Sequence, residues 1–137
     1  MTRNRGMALD VVVLGFLLVA LATPILAHHS RTMFAEDKTI TVEGTMKEVA
    51  FANPHSLFFI DAKPVDQANA PVTNWSVEGP RPRTLTEMGW QPDTIKPGDK
   101  VRITGHPRKD GKPQILFIEI SDEKGHHFVE KPGEGGD

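Results

Sequence analysis

The chain has 137 residues, with 16 Lys and Arg against 18 Asp and Glu, a net charge of −2, six His and no Cys. This length suits one domain around a single core. The missing thiols exclude a disulfide framework, Cys-ligated zinc, a thioredoxin-type pair and c-type haem attachment, and the acidic balance argues against a polyanion partner, which needs clustered Lys and Arg.

The first element is a targeting segment. Arg3 and Arg5 precede an unbroken apolar run from Val11 to Ala22, followed by Thr23, Pro24 and a small residue, Ala27. A basic start, an apolar stretch, a helix breaker and a small residue make a secretory signal peptide. The apolar run rises only about 18 Å as a helix, against a hydrocarbon core of about 30 Å, so it is too short to remain as a membrane anchor. Residues 1–27 are therefore expected to be removed after Ala27, leaving a periplasmic or secreted protein that starts His28-His29-Ser30.

Ile40, Val42, Gly44 and Met46 alternate, and the phase then slips to Val49 and Phe51. Period-two alternation predicts a half-buried strand, and the slip predicts a bulge or bend near Gly44. Asn53-Pro54 marks a turn, Leu57 to Ile60 a returning strand, and Lys63 to Pro71 a loop. Val72 to Glu78 reads as a third strand with Trp75 and Val77 on one face. Thr84 to Glu87 has capping-box spacing, so one short helix is expected there, with Gly89 as its stop. Lys96-Pro97-Gly98-Asp99 has the order of a type II turn. Val101 and Ile103 start a fourth strand, Lys109-Asp110-Gly111-Lys112 is a hairpin, and Ile115 to Ile120 is a fifth strand. Residues 28–129 are expected to form one domain, and the Gly-rich, charged residues 130–137 a disordered tail.

Five strands, a bent first strand and a helix between the third and fourth predict an all-β, OB-like Greek-key barrel. An immunoglobulin-like sandwich needs about seven strands and has no place for that helix.

The chemistry concentrates on imidazole. A processed N-terminal His28 chelates an ion through its α-amine and its own ring, and one more imidazole, from His55 or the adjacent His29, gives a three-nitrogen site suited to copper. Glu78 is a candidate axial oxygen, or an acceptor for a ligand imidazole. Asn53, Trp75 and Trp90 are candidates for a ligand-binding face on the barrel, and His106, His126 and His127 read as surface residues. Ser30 beside His29 and Ser56 beside His55 are neighbours in sequence only, pointing to opposite faces of an extended chain, and no phosphate loop or His-Glu-x-x-His is present. A copper carrier or sensor is one expectation. The other is an envelope binding module for an oligosaccharide, peptide or protein partner, without metal. Neither is an enzyme or a nucleic-acid binder.

Several of these residues fall in a recognisable order: the His28-His29-Ser30 start with Phe34 and Asp37 behind it, Gly44, Asn53-Pro54-His55, Trp75 with Glu78, Gly89-Trp90, and Pro97-Gly98-Asp99 before the Lys-Asp-Gly hairpin. In this order the chain resembles the secreted bacterial proteins of the domain-of-unknown-function 6152 family. The resemblance implies a small exported β-barrel and supplies no catalytic residues.

Overall fold

Alternating apolar residues from Ile40 onward make β1 (Ile40–Ala50), in which Val42 and Met46 turn fully inward. A computed structural model describes residues 31–131; the segment expected to be a signal peptide, His28, His29 and the expected tail residues 132–137 lie outside the described residues. The strands that follow are β2 (Leu57–Pro64), β3 (Thr73–Glu78), β4 (Lys100–Pro107), β5 (Gln114–Asp122) and β6 (His127–Val129), with helix α1 (Pro82–Glu87) between β3 and β4.

β1 pairs antiparallel with both β2 and β4, β2 with β3, and β4 with β5. Ser76 to Glu78 of β3 then run parallel to Gln114 to Leu116 of β5, which closes the sheet. The result is a closed five-stranded OB-like barrel with one short helix between the third and fourth strands, as the element order predicts.

Several local expectations change. The predicted bulge in β1 falls at the phase slip, between Met46 and Glu48, while Gly44 stays in regular register with Ala62 and Val101. Gly44 serves another purpose: a Cβ there would lie 2.0 Å from the Asp61 carbonyl oxygen, so only hydrogen lets these strands approach. β2 continues through Lys63 and Pro64, residues expected in a loop, because Ala62 and Pro64 keep its inward alternation. The Thr84–Glu87 capping box does not form; Arg81 is the N-cap without a side-chain cap, and Pro82 starts the helix. Proline's fixed φ and missing N–H suit that first position, which puts Thr84 inside the helix. The expected stop holds, with Gly89 at φ 93° and the Trp90 N–H donating to the Leu85 carbonyl.

A sixth strand, absent from the sequence reading, pairs with β5 through Glu119, Ile120 and Ser121. It carries Phe128 into the core. There Trp90 lies fully buried between Phe58, with ring centroids 4.8 Å away, and Phe128, at 5.2 Å.

Candidate functional site

The barrel has two ends with different chemistry. At the end where β1 leaves and β2 begins, the Asn53-Pro54 turn precedes His55, and the Ser56 backbone is fixed to the segment after β3. The Ser56 N–H donates to the Pro80 carbonyl at 3.0 Å, and the Gly79 N–H donates to the Ser56 carbonyl at 2.8 Å. Leu57 stands opposite Glu78 in the β2–β3 register. These constraints bring His55 Nε2 to 3.7 Å from Glu78 Oε1, an ion-pair distance longer than a hydrogen bond. The Glu78 side chain is 11% exposed and that of His55 33%.

Two of the four expected metal ligands thus meet, although 23 positions apart in sequence. His28 and His29 lie outside the described residues, and among the described residues no three His, Asp or Glu side chains converge as a metal group. Asn53 is exposed at the same turn. Ser56 Oγ is buried without a hydrogen-bond partner among the described residues, and its side chain is fully enclosed.

The remaining described imidazoles have protein partners. His106 Nδ1 donates to the Lys38 carbonyl at 2.7 Å, His126 Nδ1 lies 2.7 Å from Asp122 Oδ2, and His127 Nε2 lies 3.2 Å from Glu119 Oε2. Burial raises the Asp122 pKa, but hydrogen bonds from the His126 side chain and backbone outweigh it and hold the carboxyl below its ordinary value.

Trp90, expected on a ligand face, is removed from it by its burial between Phe58 and Phe128. Trp75 is different. It lies half-buried at the opposite end of the barrel, where β1 and β3 begin and β2 and β4 finish. A groove of about 360 Å³ opens there, lined by Ile40, Pro64, Pro71, Thr73, Trp75 and Pro107, with Arg108 and Lys112 on its rim. The Trp75 indole N–H is buried without a hydrogen-bond partner among the described residues, so packing alone sets the ring.

Arg108, just ahead of the Lys109–Lys112 hairpin, is an organiser of this rim. Its side chain, 15% exposed, donates to both carboxylate oxygens of Asp110 at 2.8 and 2.7 Å and to Gln114 Oε1 at 2.8 Å. The guanidinium holds the Asp110 carboxyl far below the usual range. An Arg two residues before the Asp of an Asp-Gly turn was the sequence signal for this clamp.

The arm before β1 runs along the same end. The Lys109 N–H donates to the Met33 carbonyl and the Ala35 N–H to the Pro107 carbonyl, both at 2.9 Å, and Phe34 bridges Arg108. A larger depression of about 430 Å³ beside β1, β4 and the end of β5 is lined by Glu43, which pairs with Arg102, and Asp122, which pairs with His126, together with Lys100 and Glu123.

The sequence profile of DUF6152, a family of unknown function, matches residues 15–117. No curated protein matches the chain. Among solved structures, the mitochondrial single-stranded DNA binding protein Rim1 of S. cerevisiae is similar over 65% of this chain and 96% of that one, at 9% identity and a TM-score of 0.47.

Proposed function

This chain belongs to the DUF6152 family of unknown function, and from that premise we propose that it is an exported binding module of the cell envelope, not a catalyst. Its ligand seats in the groove at the Trp75 end of the barrel. The observation that carries this reading is the groove itself, in which a half-buried Trp and three Pro face an opening with a cationic rim. Concave, mostly apolar surfaces with a few placed polar groups are the usual form of binding sites. The signal-peptide pattern of residues 1–27 supports export.

A photo-crosslinking side chain placed at Thr73 or Lys112 is expected to capture an envelope component, while the same group at exposed Glu48, on the far stretch of β1, captures none. Equal capture from all three positions, or none from the groove, sinks this reading. N-terminal sequencing of the exported protein is expected to begin at His28.

The approach of His55 to Glu78 favours a second reading, a copper carrier or sensor. The His28 amine and ring would supply two nitrogens, His29 or His55 the third, and Glu78 an axial oxygen or the acceptor that orients His55. Copper titration with electron paramagnetic resonance is expected to give a three-nitrogen spectrum and sub-micromolar affinity, both lost when one Ala is placed ahead of His28. Loss of the spectrum in His55→Ala assigns the third nitrogen to the barrel; an unchanged spectrum assigns it to His29.

A further inference from the structure

The barrel closes incompletely beside the groove. β3 pairs with β2 from Thr73 to Glu78, but with β5 only from Ser76 to Glu78. The Ser76 N–H donates to the Pro113 carbonyl at 3.1 Å, which fixes the β5-facing side of β3. Backbone groups of an extended strand alternate between its two edges, so the Asn74 N–H and C=O face the same way as those of Ser76. At that level β5 has not begun. The chain there is the hairpin, whose groups are committed to its own turn: the Lys112 carbonyl accepts from the Gln114 N–H at 2.7 Å, and the Lys112 N–H donates to Asp110 Oδ1 at 3.2 Å.

The Asn74 side chain is also occupied, donating to Asp61 Oδ1 on β2 at 3.0 Å, which leaves its backbone edge uncovered by its own amide. An open strand edge accepts another strand, and peptide recognition by strand addition combines such an edge with a pocket for alternate side chains. Here the pocket is adjacent. The floor beside Asn74 is Trp75, flanked by Pro71 and Pro107. The rim is cationic: Arg108 and Lys112 share the single carboxylate of Asp110, with Lys112 Nζ 3.6 Å from it and 70% exposed.

We propose that an extended peptide segment of a partner protein adds to β3 at Asn74, laying an apolar side chain on Trp75 and directing a carboxylate side chain to Lys112. The backbone of Asn74 supplies the docking bonds, Trp75 selects the apolar residue, and the unbalanced rim charge selects acidic over basic neighbours. This deepens the groove reading above and rests on it.

The test uses the mature protein, isotopically labelled, and a capped probe peptide of alternating Val and Glu, five residues long. Saturable binding is expected, with hydrogen exchange of the Asn74 amide slowed at least tenfold at saturation and the Trp75 indole resonance shifted. N-methylation of the peptide's inner amides is expected to abolish binding, and Lys in place of Glu to weaken it severalfold. Lys112→Glu, a change at an exposed side chain, is expected to reverse that preference with the fold intact.

Four results overturn the proposal: no saturable binding, equal binding of the N-methylated peptide, protection at the β6 edge in place of Asn74, or displacement of the Trp75 resonance by a neutral oligosaccharide such as maltotetraose and not by the peptide. Crosslinks from Thr73 and Lys112 alongside any of these leave the groove reading standing and refute strand addition alone.

Discussion

Replacing Gly44 with Ala tests the closeness of β1 and β2 directly. Gly44 has ordinary strand φ, so the substitution introduces no left-handed backbone; it introduces one methyl group. That methyl would sit 2.0 Å from the Asp61 carbonyl oxygen and 2.6 Å from both the Cα and Cβ of Ala62. None of these atoms is the end of a flexible side chain. Restoring contact distance therefore requires the two strands to part by more than about 1 Å, which weakens the ladder on both sides of Gly44. Two backbone hydrogen bonds at about 1 kcal/mol each, with about 1–3 kcal/mol of overpacking, give a loss of about 3–5 kcal/mol. Against a total stability of roughly 5–15 kcal/mol for a domain of this size, that is a large fraction. Urea unfolding at 25 °C is expected to show the loss as a lowered midpoint. Gly98→Ala is the control: φ is +95° with nothing within 4 Å, so it carries only the left-handed backbone cost of about 1–2 kcal/mol. A loss below about 1 kcal/mol for Gly44→Ala, or one smaller than the control's, refutes the steric argument.

Trp90→Ala empties the space between Phe58 and Phe128 and is expected to cost about 3–5 kcal/mol, whereas Trp75→Ala at the half-exposed groove costs less; equal losses by thermal unfolding would mean that the two indoles are buried alike. Acid is expected to destabilise the domain. A hydrogen bond from Lys124 lowers the Asp99 carboxyl, one from Arg108 lowers Asp110, and donors from His126 override burial at Asp122. Groups with depressed folded pKa add stability that is complete above the ordinary carboxylate value of about 4 and is lost as pH falls through the folded values. Urea midpoints should therefore drop from pH 5 to pH 2, less steeply in Asp110→Asn; a flat profile contradicts the sign. Lys112→Glu leaves Arg108 clamped on Asp110 and is expected to change stability by under about 0.5 kcal/mol, which thermal unfolding can verify before any binding experiment.

The local grammar of the chain fixed most of the barrel's parts. Alternation placed β1, β3 and β4, Gly89 ended the helix, and Pro97-Gly98 made the turn whose Asp99 N–H donates to the Lys96 carbonyl at 3.1 Å. Such features depend on residues a few positions apart, and a linear pattern contains them. Local reading failed where a distant neighbour decides. Pro82 displaced the Thr84 capping box, and the inward alternation of Ala62 and Pro64 extended β2 beyond its apolar run. The strand that carries Phe128 was missed, because the Trp90 face it covers belongs to another part of the chain.

The candidate site divides the same way. The sequence by itself named imidazole and Trp as the chemically distinctive side chains. Only the tertiary structure set His55 against Glu78, buried Trp90 and left Trp75 half-open, because each outcome depends on strand register between residues far apart in sequence. The exposed edge at Asn74 is the clearest case. No residue type encodes it, since it arises where β3 starts three residues before its parallel partner β5 can meet it, and backbone pairing is a property of two strands together.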